Sequence, residues 1–166
     1  REMVDELLTE RENKKELRNE HDPDSSEYAI FDRQQAAVKV IMNSLYGVTG
    51  WDRFRLYDKE GAAAVTATGR EVIDFTETAA NEIDYEVAYG DTDSVMLELG
   101  KDVAKADAID QSFEIEEYIN GRYDDFAREE LNADVHRFQI EFEKLYRRFF
   151  QAGTKKRYAG HIIWKE

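Results

Sequence analysis

Tyr89-Gly90-Asp91-Thr92-Asp93-Ser94 is the stretch on which the reading of this 166-residue chain turns. Upstream, Tyr85-Glu86-Val87-Ala88-Tyr89 reads as a β-strand; downstream, Ser94-Val95-Met96-Leu97-Glu98-Leu99 reads as its antiparallel partner. Gly90-Asp91-Thr92-Asp93 supplies the turn residues of a hairpin between them. Two carboxylates two positions apart at such a tip can point to one side and share divalent cations. An isolated Asp-x-Asp more often does no more than stay solvated and cap its own turn.

Helical patterns flank the hairpin. Residues from about Val4 to Asn19 form a strongly charged helical stretch with sparse apolar positions at Val4, Leu7, Leu8 and Leu17. His21 to Glu27, with the only proline at Pro23, reads as a connector. A second helix runs from about Tyr28 to Tyr46 and is expected to stop at Gly47, as a C-terminal cap. Two antiparallel helices joined by a short loop are the expected product. On the second, Lys39, Asn43 and Tyr46 stand at i, i+4 and i+7 and share one face. On the first, Arg11 and Lys15 share a face, although Glu10, Glu12 and Glu16 could pair with them at a surface. Gly61 to Ile83, rich in Ala and Thr, reads as a buried helix packed on a sheet. After the hairpin, Ala104 to Leu131 reads as an acidic amphipathic helix that could break at Gly121. Phe138 to Glu143 alternates as a strand that Leu145 to Phe150 continues. Tyr158 to Trp164 returns as its partner across Gly153-Thr154-Lys155.

The length is enough for one domain with a real core, and a hydrophobic share of 42% speaks for a globular protein. No apolar run is long enough to span a bilayer, and the start shows no signal-peptide pattern. Cysteine is absent, which excludes disulfides and thiolate metal sites; His21, His136 and His161 are too scattered for a zinc site of the usual kind. The net charge of -14 has two readings: an acidic interaction domain that never touches nucleic acid, or an acidic surface adapted to high salt. Lys and Arg cluster inside the motifs while acids dominate elsewhere, which favours the second.

Taken together, YGDTDS and the run Lys39-Val40-Ile41-Met42-Asn43-Ser44-Leu45-Tyr46-Gly47 closely resemble the YGDTDS and KxxxNSxYG motifs of family B (alpha-like) DNA polymerases, archaeal type. Leu7-Leu8-Thr9-Glu10-Arg11 with Lys14-Lys15 resembles the family's other fingers helix, and Thr154-Lys155-Lys156-Arg157-Tyr158-Ala159 resembles its Lys-Lys-x-Tyr element. The resemblance implies an α+β fold: a two-helix antiparallel fingers element over residues 1–50, an incomplete palm of antiparallel sheet backed by helices over 51–152, and a palm–thumb border over 153–166. It implies template-directed addition of deoxynucleotides to a primer 3′ end by two-metal-ion nucleotidyl transfer. Mg²⁺ would be the metal, with Mn²⁺ as a substitute, the two ions standing about 4 Å apart. Asp93 would be the bridging metal ligand and Asp91 its neighbour. Glu141 and Glu143 stay open between acids near the metals and the outward acids of an exposed strand. Arg11, Lys15 and Lys39 would grip the triphosphate, Lys39 also as general-acid candidate, and Asn43, Tyr46 and Gly47 would shape the nucleotide pocket. Lys155, Lys156, Arg157 and Tyr158 would hold the primer–template duplex through its backbone and minor groove.

The implied partners are primer–template DNA, deoxynucleoside triphosphates, the remainder of a polymerase chain and, as an open case, a sliding clamp. The implied location is cytoplasmic, at the nucleoid, with no membrane. The family's other metal-binding aspartate lies in an aspartate-x-x-Ser-Leu-Tyr-Pro element that is absent here, and the first residue is Arg1. The chain therefore reads as a palm-and-fingers fragment, inactive by itself. Its rivals are a non-catalytic relative acting as a DNA-binding or structural subunit, and an acidic interaction module. The charge further suggests a halophilic source. Stability should then rise steeply with KCl, because the Debye length falls from about 10 Å at 0.1 M to about 3 Å at 1 M. Helical circular dichroism that melts no later in 2 M than in 0.1 M KCl would refute this.

Overall fold

The computed structural model describes residues 2–154 and 156–165; Lys155 of the basic motif lies outside them. The chain is α+β, with four helices and two small antiparallel two-stranded sheets. It divides into two compact units, Arg1–Thr66 and Ala67–Glu166, the division falling inside one helix.

The first unit is built on α1 (Glu2–Asn19) and α2 (Ser26–Thr49), which pack as a pair across a six-residue connector. Ser25 caps α2, its hydroxyl accepting from the Tyr28 N–H at 3.1 Å. Near the connector, Arg18 reaches Asp32 at 3.2 Å and lies over the Tyr28 ring, while His21 stacks on Phe31. Gly47 does not end α2. The helix continues to Thr49 and its C-cap is Gly50, because Val48 and Thr49 still lie on the half-buried stripe. One interior glycine costs only about 1 kcal/mol and is overridden by that packing. Beyond a run of turns, Asp58 opens α3 (Lys59–Glu82) by accepting from the Gly61 N–H at 2.8 Å.

The second unit has its core between the remainder of α3 and α4 (Lys105–Glu129). Ala108, Ser112, Ile115, Ile119, Tyr123, Phe126 and Ala127 are buried on α4, a 3.6-residue stripe that runs unbroken past Gly121. Opposite them α3 presents Thr76, Ala79 and Ala80, the two alanines fully buried. These small side chains leave room for Ile119 and Tyr123, the largest fully buried side chains among the described residues. Phe75 stacks on Phe126 at 4.4 Å between ring centres.

The hairpin β1 (Glu86–Asp91) and β2 (Ser94–Glu98) follows α3, with Leu97 and Leu99 packed against this core. After α4 the chain is extended from about 135 to 143 but pairs with no strand. Phe138, Ile140 and Phe142 alternate inward as the sequence implies, yet the backbone is held by helix side chains. Asn120 both accepts from the Ile140 N–H and donates to its carbonyl, and Glu116 accepts from the Phe142 N–H at 2.7 Å. Two polar residues one turn apart on α4 thus do the work of a partner strand. Then β3 (Lys144–Gln151) pairs with β4 (Tyr158–Lys165), with register shifts on either side of Tyr146. A Cβ at Gly160 would overlap the Tyr146 ring, so glycine is required there.

At the centre of the core the Tyr123 and Thr76 hydroxyls are 2.6 Å apart, and Thr76 also donates to the Val72 carbonyl. Burial pushes the Tyr123 hydroxyl above the usual tyrosine value, outweighing the lowering effect of Thr76. A raised folded-state value means the stability contribution is present below about pH 10 and lost as pH rises through the folded value. Tyr123→Phe should therefore cost about 1 kcal/mol at neutral pH and make the alkaline fall in stability shallower. Urea titrations from pH 8 to 11.5 read both effects.

Candidate functional site

Register in the hairpin pairs Asp91 with Ser94, leaving a two-residue turn, Thr92-Asp93. The turn is tighter than the four-residue run implies, with Gly90 and Asp91 still inside β1. Neither central residue takes a positive φ, so the turn is not one of the primed types that usually close such loops. The Asp91 carboxylate holds it instead, accepting from the Thr92 N–H at 2.8 Å and the Thr92 hydroxyl at 3.2 Å. Asp93 stands exposed at the turn.

Along β1, Val87, Tyr89 and Asp91 take the covered positions and Glu86, Ala88 and Gly90 the open ones. The register shifts by one residue between Val87 and Tyr89, a bulge that strengthens the local twist just before the tip. The Glu77 carboxylate of α3 lies against Gly90, in space that a Cβ would occupy. No sequence pattern singles out Glu77; only the packing of α3 beneath the hairpin brings a third acid to it. Even so, among the described residues no three His, Cys, Asp or Glu are grouped so as to hold a metal ion.

Tyr89 is 7% exposed, and its ring lies against Phe149 and Tyr158 of the second sheet, 6.1 and 5.6 Å between centres. The Lys156 N–H donates to its hydroxyl at 3.1 Å. Lys156, Arg157 and Tyr158 are therefore brought beside the acid-bearing hairpin, all three exposed. Glu141 and Glu143 are exposed positions of the extended segment, and Glu143 pairs with Lys144 at 3.6 Å.

In the first unit, Lys39, Asn43, Tyr46 and Gly47 form one exposed stripe on α2, as their spacing implies. The Tyr46 hydroxyl is 2.7 Å from that of Thr66. On α1, Arg11 and Lys15 occupy half-buried positions, while neighbouring Lys14 pairs with Glu10 at 3.2 Å. The Arg11 Nε is buried with no hydrogen-bond partner among the described residues.

The family model described as DNA polymerase family B matches residues 1–166. The chain is 38% identical over 153 residues to DNA polymerase 2 of Aeropyrum pernix, covering 90% of the chain and 16% of that protein. To the DNA polymerase of Archaeoglobus fulgidus it is 38% identical over 150 residues, again 90% of the chain and 17% of that protein. To the DNA polymerase delta catalytic subunit of rice, Oryza sativa, it is 35% identical over 173 residues, 98% of the chain and 14% of that protein. The chain thus spans about a sixth of the length of the curated relatives it matches. Among solved structures, the family B DNA polymerase of the hyperthermophilic archaeon Pyrobaculum calidifontis superposes with a TM-score of 0.63 at 30% identity, covering 98% of this chain and 18% of that one.

Because Asp93 is exposed and makes no hydrogen bond among the described residues, Asp93→Asn should change unfolding free energy by no more than about 0.5 kcal/mol. Chemical denaturation measures this, and a larger loss would mean the carboxylate supports the turn itself.

Proposed function

The chain belongs to the family B DNA polymerases, and on that premise we propose that it is a catalytic-core segment of a DNA-directed DNA polymerase, adding deoxynucleotides to a primer 3′ end. The observation that carries this is the tip of β1–β2, where Asp91 and Asp93 flank one residue of a two-residue turn on a packed hairpin. Carboxylate oxygens are hard donors, and Mg²⁺ is commonly held by one or two carboxylates together with substrate phosphates and waters. Asp91 and Asp93 suit that role. An ion held by Asp91 and Asp93 would supply a lowered pKa for the attacking hydroxyl and positive charge against the triphosphate. Glu141 and Glu143, as exposed acids, are the weaker candidates.

In the first unit Lys39, Arg11 and Lys15 are the triphosphate ligands of this reading, with Asn43, Tyr46 and Gly47 beside the base and sugar. The exposed α2 stripe supports it. In the second unit Lys156, Arg157 and Tyr158, with Lys155, contact the duplex without reading its sequence. Residues 1–50 serve as fingers, 51–152 as palm and 153–166 as its border with the thumb. Against the uniform acidity of the chain these cations form local positive sites, and molar salt screens the remaining repulsion of DNA. A salt-loving archaeon is the source this implies. The helices described are too polar to cross a membrane.

Two acids near the turn need a further one from an element that this sequence does not contain. Primer extension with Mg²⁺ in high KCl should accordingly be absent for this chain alone and appear when the upstream portion of the polymerase is added. Asp93→Ala should lower the mixture's rate on the order of 10²–10³-fold. Extension by the chain alone would overturn the two-piece account. Its absence from a folded, associated mixture would leave a non-catalytic DNA-binding subunit.

A further inference from the structure

Tyr89 is the one buried residue of β1, and a phenylalanine would fill the same space against Phe149 and Tyr158. What the phenol adds is an acceptor for the Lys156 N–H, 67 positions away in sequence. That N–H belongs to a strained residue. Lys156 has φ of 64°, in the left-handed region that crowds the Cβ of any residue other than glycine. Such a conformation persists only where its surroundings hold it. The rest of the turn is closed by Ala152 donating to the Arg157 carbonyl at 2.9 Å and Arg157 to that of Thr154 at 3.2 Å. Neither bond reaches outside the turn. Of the described hydrogen bonds from this turn's backbone, the one to Tyr89 ties it to another element. Tyr89 and Asp91 also share a face of β1, two residues apart.

We propose that Tyr89 is a positioning residue whose hydroxyl latches the 152–157 turn to the acid-bearing hairpin and so sets where Lys156 and Arg157 meet a nucleic-acid duplex. This rests on the duplex-binding role given above to Lys156 and Arg157. The latch acts on the turn's backbone, so it orients both cations at once and keeps their offset from Asp91 and Asp93 constant. The phenol retains its own proton, which stays available to a second acceptor.

The test uses the full-length polymerase that carries this segment, with a primer–template of fixed length. Tyr89→Phe keeps the ring packing and removes only the hydroxyl. It should raise the primer–template Kd about five- to tenfold, the worth of one hydrogen bond. The KM for deoxynucleotides should stay within about twofold, and the melting temperature should fall by no more than the few degrees that one hydrogen bond is worth, since ring burial is unchanged. Combined Lys156→Ala and Arg157→Ala should weaken primer binding and flatten its salt dependence. Adding Tyr89→Phe to that pair should then cost less than about twofold more, because the groups it positions are gone. An unchanged Kd in Tyr89→Phe, or a full additional loss in the combined variant, overturns the latch. A fall in melting temperature accompanied by loss in every kinetic constant does so too, by reducing Tyr89 to a core residue. Unchanged binding after Lys156→Ala and Arg157→Ala instead overturns the duplex-binding role itself.

Discussion

The second unit depends on the packing of α4 side chains against the small-residue face of α3. Ala79 and Ala80 leave space on α3 in which Ile119 and Tyr123 are wholly buried. That burial would strand a phenol were Thr76 not 2.6 Å away. The hydroxyl pair therefore fixes both rotation and depth of the contact: a turn of either helix would leave the buried Tyr123 hydroxyl unpaired, while Thr76 would keep its bond to the Val72 carbonyl. From this contact the rest is placed in order. Leu97 and Leu99 seat the hairpin on it, and Phe138 and Ile140 seat the extended segment. Asn120 and Glu116 then supply the hydrogen bonds that the segment lacks.

On that support the hairpin divides its labour along one strand. Tyr89 faces inward and joins the second sheet, while Asp91 closes the turn and Asp93 is left in solvent. An acid exposed at a tip gains nothing for stability, since solvated carboxylates away from partners contribute little. Its cost is equally small. Chemistry can therefore occupy Asp93 without disturbing the fold, whereas Tyr89 cannot change without moving a neighbour.

Most of the elements were legible from local pattern. The two-helix pair, the α3 helix, the hairpin and the β3–β4 return all follow from periodicity and turn residues, which are local properties. However, α3 buries only Thr76, Ala79 and Ala80 where its pattern implies a buried helix. The exposed stripe of Lys39, Asn43, Tyr46 and Gly47 follows from the same arithmetic. Where reading and structure part, long-range packing has outweighed a local preference. Gly47 and Gly121 look like breaks, but the helices run on because Val48 on one side and Tyr123 on the other are anchored. Residues 138–143 alternate like a strand and are extended, yet their partners are helix side chains. Alternation reports which side is covered, not what does the covering.

By itself the sequence determined the α+β class, the hairpin carrying Asp91 and Asp93, and membership of the family, because these rest on spacing within short windows. Only the tertiary structure decided that the Tyr89 hydroxyl receives the Lys156 N–H, that Glu77 lies against Gly90, and that α4 side chains complete the backbone of the extended segment. Each of these joins groups 13 to 67 residues apart in the chain. Such pairings depend on how far one element slides and turns on another. That is set by the summed packing of the core, and no short window of sequence contains it.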